Sequence, residues 1–222
     1  FAKDFEIPCV GGKVSLYNET SDGPIKPTPV IGVIGLIDKK PLKIQKINSG
    51  DSLIMIGDTK DELGGSEYSE YVHKFIGGKC PAVDFIESKK NMNSVLDIIE
   101  NELIKSAHDC SKGGLAIAIS ELCMINQVGC NVSLEKIPGE KLDSDKILFS
   151  ESHSRYLLTI ENKNLSKLEE TLKKYGVSYS LIGEFTGDSI CFSSDSKPII
   201  DLSVDKAQKT WFNSLKEMVL HA

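Results

Sequence analysis

The chain has no block of lysine or arginine. Its net charge is −6, and the pairs Lys39-Lys40, Lys89-Lys90 and Lys173-Lys174 stand far apart. A nucleic-acid interface needs a basic stripe, so nucleic acid is not an expected partner and the pairs read as solvated surface. No apolar run approaches the roughly 18 residues that a membrane-spanning helix needs, so no membrane is expected either. The six cysteines, Cys9, Cys80, Cys110, Cys123, Cys130 and Cys191, form no C-x-x-C pair. Their apolar or helical neighbours make them buried free thiols, which suits a reducing, cytoplasmic setting. The four histidines, at 73, 108, 153 and 221, lack zinc-ligand spacing. No nucleophile–base pair with a known local signature is present. Gly11-Gly12-Lys13 lacks the G-x-x-x-x-G-K-[ST] spacing of a P-loop.

What is present is ordinary for a globular protein: 222 residues, 40% hydrophobic and 26% charged. That is enough to bury a core. The chain opens on Phe1 rather than methionine and is expected to be a piece of a longer protein.

Residues 1–38 look β-rich, with candidate strands at Val14–Tyr17 and Pro29–Leu36. The glycines at 32 and 35 suit a bent barrel wall. The segment Thr20–Pro29 holds Gly23, Pro24, Pro27 and Pro29 and reads as a connector. A domain boundary is placed at residue 39. Beyond it, Asp51–Gly57 is a short apolar run that predicts a buried strand. Helices are predicted from Ser66-Glu67 to about Lys74 and over Val83–Ile104, with a turn across Ser88–Asn93. Further helices are predicted at Leu115–Gln127, Leu142–Phe149, Leu165–Tyr175 (closed by Gly176) and Val204–His221. Strands are predicted at Asn131–Leu134 and Arg155–Ile160, with Ser178–Gly183 and Ser189–Phe192 at a final sheet edge. Such alternation argues an α/β or α+β sandwich.

Three stretches concentrate polar chemistry. Gly11-Gly12-Lys13 precedes a strand-like run, where glycines allow close approach of a phosphate to main-chain N–H groups, or form a tight structural turn. In His108-Asp109-Cys110-Ser111-Lys112-Gly113-Gly114, Ser111 is placed to cap the following helix, whose start suits a phosphate. Asp109 could hold Mg²⁺ together with phosphate oxygens. A capping turn with no ligand is the plainer alternative. Ser150-Glu151-Ser152-His153-Ser154-Arg155 packs a carboxylate, hydroxyls, an imidazole and a guanidinium into one junction. It reads as a ligand contact, or as a capped helix end with Arg155 paired to a nearby acid. Together they suggest a surface that handles phosphate and Mg²⁺ and works by positioning and charge neutralisation.

In this order, these stretches resemble the second half of phosphoribosylformylglycinamidine synthase, the synthetase subunit of purine biosynthesis. The carriers are Val14–Thr20, Pro27–Gly32, Leu63–Tyr68, His108-Asp109-x-Ser111-x-Gly113-Gly114-Leu115 and Ser150-Glu151-Ser152-x-Ser154-Arg155. The broader superfamily includes aminoimidazole ribonucleotide synthase, selenophosphate synthase, thiamine-monophosphate kinase and the hydrogenase maturation dehydratase. The resemblance implies that residues 1–38 are the tail of a barrel-forming domain and residues 39–222 the second C-terminal α/β domain. It implies an ATP-dependent amidine synthesis from formylglycinamide ribonucleotide, with ammonia from a glutaminase subunit and with a small accessory subunit in the same complex. The catalytic histidines belong to the family's first half, so no catalytic residue is expected here. By the same resemblance, Gly12 lies near ATP and Ser15 contacts substrate. Lys13 stands where the family has an Mg²⁺-liganding Asn, so it either binds phosphate or marks a lost metal. Asp109 (metal), Ser111, Glu151 and Ser152 are the expected auxiliary nucleotide site. The alternatives are another synthase or kinase of the superfamily, or a fragment with a structural or nucleotide-holding role.

Overall fold

The computed structural model describes residues 2–38, 41–42 and 47–220, apart from the side chains at 215–218 and 220. The chain divides into two compact units, Phe1–Pro41 and Leu42–Ala222. The boundary expected at residue 39 falls outside the described residues.

In the first unit, the predicted strands at 14–17 and 29–36 carry no regular secondary structure. Val14, Leu16, Ile34 and Leu36 are exposed. A strand needs hydrogen-bonded neighbours for its backbone groups. Among the described residues neither segment has one. The regular structure of this unit is instead a small hairpin, β1 (Glu19–Thr20) with β2 (Gly23–Pro24), inside the expected connector.

The second unit is built on a seven-stranded sheet. Its strands are β3 (Ser52–Ile56), β4 (Ser106–Asp109), β5 (Cys130–Ser133), β6 (Tyr156–Ile160), β7 (Tyr179–Phe185), β8 (Ser189–Ser194) and β9 (Lys197–Ser203). They lie in the order β4-β6-β3-β7-β5-β8-β9. Every pairing is antiparallel except β5 with β8. All five residues of β3 are buried, because both faces of the sheet are covered. Leu53 and Met55 join one core with α3 (Gly114–Asn126), α4 (Ser144–Phe149) and the start of α6 (Val204–Leu220). Ile54 and Ile56 join the other with α2 (Phe85–Glu100) and α5 (Leu165–Tyr175). The two-residue period of a strand thus feeds two cores, which gives the α/β sandwich three layers.

Four expectations are corrected here. The turn predicted across Ser88–Asn93 is helix throughout. The polar residues of α2 in and beside that stretch include Asn91 and Ser94, which are buried rather than solvated. Asn91 Nδ2 donates to Ser154 O at 3.1 Å and Ser94 Oγ to Asn91 O at 2.7 Å. Buried polar groups with partners fit a helix face, and they blur its apolar period. Second, β7 lies at the centre of the sheet rather than at its edge. Third, β4 forms one edge, and the other, beyond β8, is β9, which the sequence did not announce. Its hairpin turns through Asp195 and Ser196 at φ 48° and 61°, without the glycine that usually marks such a turn. An edge position tolerates Pro198. Fourth, the predicted helix near Glu67 ends early, as the short α1 (Glu67–Tyr71). Gly176 closes α5 in the left-handed conformation, as expected. The last residue of the predicted terminal helix, His221, lies outside the described residues.

Candidate functional site

Most of the polar residues singled out in the second unit meet at one place. The end of β4, the start of α3 and the connection from α4 to β6 border a cleft of about 390 Å³. Asp109, Ser111, Lys112, Glu151, His153 and Arg155 line it.

Local backbone geometry explains both motifs. Gly113 and Gly114 have φ of 78° and 66°, a left-handed region that favours glycine. A Cβ on Gly114 would sit 2.5 Å from the carbonyl oxygen of Ser150. The glycine pair therefore lets α3 start directly against the α4–β6 connection. Along that connection, side chains alternate as in any extended chain. Ser150 and Ser152 turn inward and are buried, while Glu151 and His153 line the cleft. The alternation breaks at Ser154, whose φ is 62°, and Arg155 turns inward.

Ser111 does not cap α3. Its hydroxyl donates to Asp109 Oδ2. The N-cap is Gly113, which has no side chain to offer. Glu151 supplies the acceptor instead: the Gly113 N–H donates to its Oε1 at 2.9 Å, and the Glu67 N–H donates to the same oxygen at 3.0 Å. One carboxylate oxygen thus bridges the starts of α1 and α3. Lys112 Nζ lies 2.6 Å from Glu67 Oε1. That hydrogen bond raises the Lys112 pKa above the ordinary lysine value. Both side chains are solvent-exposed, so the pair adds little stability.

Arg155 is 1% exposed. The alternative of an acid partner is not what the structure contains. Its Nε donates to Ser152 O at 2.9 Å, Nη1 to Thr59 Oγ1 at 3.1 Å and Nη2 to Ser150 O at 2.5 Å. Burial lowers its pKa, but a guanidinium stays charged at any physiological pH. The serine hydroxyls tie in a second segment. Ser150 Oγ accepts from the Glu62 N–H at 3.3 Å and Ser152 Oγ from the Lys60 N–H at 3.1 Å. Ser152, expected at the ligand, is therefore engaged behind the cleft rather than lining it.

No nucleophile is poised here. Burial pushes the Cys110 thiol up to about 11, so it is not a thiolate at neutral pH. His108 lies outside the cleft: its Nε2 is 3.0 Å from Glu121 Oε2, beside a separate groove lined by Met124, Ile125, Trp211 and Phe212.

A magnesium ion would need several oxygen donors in one place. Among the described residues no three His, Cys, Asp or Glu side chains converge as a metal cluster. Asp109 Oδ2 is taken by Ser111, and Glu151 Oε1 by two main-chain N–H groups. These residues do not by themselves form a magnesium site.

Gly12, Lys13 and Ser15 belong to the first unit, and all three are exposed. Neither Gly11 nor Gly12 has a positive φ, and a Cβ on either would meet nothing within 4 Å. The tight-turn alternative is thus absent: this backbone makes no demand for glycine. Nearby, Asn18 Nδ2 donates to Ser15 O at 2.7 Å.

Sequence reasoning missed the part played by Glu67 and Lys112. Lys112 sits inside a noted motif, and its charge was the available signal. Glu67 contributes its carboxylate to Lys112 and its main-chain N–H to Glu151, and the second of these no side-chain pattern announces.

The family model described as AIR synthase related protein, C-terminal domain, matches residues 48–193. Among curated proteins, the chain is 37% identical to phosphoribosylformylglycinamidine synthase subunit PurL of Methanocaldococcus jannaschii, over 98% of this chain and 30% of that protein. It is equally identical to PurL of Thermococcus sibiricus, over 98% of this chain and 30% of that one. The chain therefore spans about a third of the length of these relatives. Among solved structures, Thermotoga maritima PurL complexed with FGAR superposes with a TM-score of 0.68 at 19% identity, over 75% of this chain and 29% of that chain. The hydrogenase maturation protein HypE of E. coli superposes at 0.54 and 14% identity, over 75% of this chain and 52% of that chain. At these identities the superpositions speak for the fold alone. Because the family model covers more than half of it, this chain belongs to the AIR synthase related proteins and carries their C-terminal domain.

Proposed function

We propose that this chain is the C-terminal part of an ATP-dependent formylglycinamidine ribonucleotide synthase of purine biosynthesis. The observation that carries the reading is the 37% identity to a PurL subunit over 98% of the chain. In the reaction, ATP phosphorylates the formyl amide oxygen of formylglycinamide ribonucleotide. Ammonia then displaces that oxygen as phosphate, leaving the amidine and ADP. Supporting structures in the same fold include T. maritima PurL complexed with FGAR and with ATP, and a T. maritima PurLQS assembly. A glutaminase subunit that supplies ammonia and a small accessory subunit are the proposed partners, in the cytoplasm.

Within that protein, Gly12 and Lys13 would lie by the ATP phosphates and Ser15 by the substrate. The cleft of Asp109, Ser111 and Glu151, backed by Ser152, would be the auxiliary nucleotide site. The cleft offers charge and hydrogen-bond donors but no nucleophile, which supports a holding role rather than a chemical one for the second unit. Residues 1–38 would complete a barrel built largely by other parts of the protein.

The test is substrate-dependent ADP release by the full-length protein, given formylglycinamide ribonucleotide, magnesium ATP and ammonium salt. Release that requires both ribonucleotide and ammonia is the expected result. No release with the partner subunits present would move the protein to another branch of the superfamily. Residues 1–222 alone are expected to turn over no ATP with this substrate.

A further inference from the structure

The helical face formed by α3 and α6 carries an open groove of about 370 Å³, away from the cleft described above. Met124 and Ile125 of α3 and Trp211 and Phe212 of α6 line it, and the His108–Glu121 pair borders it.

The helix α6 divides into two halves. Its first turns are anchored on the sandwich. Val204 is buried and its N–H donates to Asp188 O at 2.9 Å, Ala207 packs on the core, and Gln127 Nε2 donates to Gln208 Oε1 at 3.1 Å. From Lys209 onward every described side chain is exposed. Val219 follows Phe212 by seven residues and Trp211 by eight, so the three share one side of the helix. Trp211, Phe212 and Val219 are 51%, 66% and 69% exposed, and Ile125 on the other wall is 60% exposed. A helix draws most of its stability from a packed apolar face, and about 12 residues alone are marginal in water. Soluble proteins rarely leave a contiguous apolar patch uncovered, and large aromatic side chains beside a groove are the usual anchors of an interface.

The length of the relatives indicates what covers it. Both β9 and α6 lie beyond residue 193, where the match to the family's domain ends. The M. jannaschii PurL match nevertheless covers 98% of this chain, which takes in Trp211 and Phe212, while this chain accounts for only 30% of that protein. The α6 segment thus has a counterpart in proteins that carry much more polypeptide. Polypeptide joined to this unit competes for its surface at high effective concentration.

We infer that an apolar segment of the same polypeptide, outside residues 1–222, docks in the α3–α6 groove. It places a large aliphatic or aromatic side chain between Ile125, Trp211 and Phe212, and a hydrogen-bonding group against the His108–Glu121 pair. The second half of α6 is then an internal clamp rather than a surface helix. The inference rests on the reading of this chain as part of a longer protein.

The experiment is hydroxyl-radical footprinting of the full-length protein, read by mass spectrometry across a dilution series, with and without the partner subunits. The expected result is little oxidation at Ile125, Trp211 and Phe212 at every concentration, without any added subunit. F212D and I125D each put a charge on one wall and should raise Trp211 oxidation several-fold. Both positions are exposed within this unit, and F212A, which adds no charge, guards against a folding defect, with thermal melts as the check. Protection that fades on dilution would seat a second copy in the groove and overturn the inference. Protection that appears only with the partner subunits would seat a separate protein there and overturn it too, as would oxidation under all conditions. The footprint needs no substrate. A protected groove in a protein that releases no ADP would therefore fault the proposed reaction and leave this inference standing, whereas ADP release with an exposed groove would overturn this inference alone.

Discussion

Two apolar runs of similar composition meet opposite fates in this chain. Ser52–Ile56 (SLIMI) is buried along its whole length at the centre of the sheet. The run Pro29–Leu36 (PVIGVIGL) is exposed, with Ile34 at 98% against 1% for Ile54. Glycines show the same contrast. A Cβ on Gly114 would collide with Ser150 O at 2.5 Å, whereas one on Gly32 or Gly35 would meet nothing within 4 Å. Hydrophobicity is a demand for burial, but a strand forms only where neighbours satisfy its backbone on both sides. In the second unit β6 and β7 flank β3. For residues 29–36 no such neighbour exists among the described residues.

The contrast can be tested at its extremes, by chemical denaturation of the chain followed through its single tryptophan, Trp211. Ile54→Ala should destabilise the second unit by about 2–5 kcal/mol, the usual cost of truncating a fully buried aliphatic side chain. A loss below about 1 kcal/mol would mean that this core is far looser than its burial indicates. Gly114→Ala comes next. Its left-handed backbone alone should cost about 1–2 kcal/mol, and the contact with Ser150 O adds to that. Gly35→Ala, with open space around it, should leave the same transition unmoved.

A smaller effect should appear in the pH dependence of a surface carboxylate. The Ser133 hydroxyl, 2.7 Å from Glu135 Oε2, and the Asp195 N–H, 2.5 Å from Oε1, hold the Glu135 pKa down to about 2. A lowered folded-state pKa adds stability above the unfolded value of about 4.3, and that stability disappears as pH falls toward the folded value. The difference between wild type and Glu135→Gln should therefore be full at neutral pH and shrink between about pH 4 and pH 2. A difference independent of pH would show that the hydrogen bonds act without the charge. Ile34→Ala should likewise change stability by less than about 0.5 kcal/mol, as for an exposed site.

The sandwich was legible because its elements carry local marks. The apolar run of β3, the helical period of α3 and α5 and the stop at Gly176 each depend on residues close in sequence. The candidate site was legible as a gathering of residues. Asp109, Ser111 and Glu151 do line one cleft. Their duties were not legible. Ser111 was expected to cap α3, but Glu151, 38 positions beyond the N-cap Gly113, supplies that acceptor. One of the two readings of Arg155 paired it with an acid, but it donates to two carbonyls of its own loop and to Thr59 Oγ1.

Sequence alone therefore determined most of the helices and strands of the second unit, though not β9 or the continuity of α2, and which polar residues gather at β4, α3 and the α4–β6 junction. Those features follow from propensity, period and the few residue types that tolerate a given backbone, all of them properties of near neighbours. Tertiary structure alone decided that β7 is central and β9 an edge, that Asn91 is buried rather than turned to water, and that Glu151 closes the start of α3. Each depends on which backbone donors and acceptors meet across tens of residues, and main-chain N–H and C=O groups are the same at every position until the fold selects their partners.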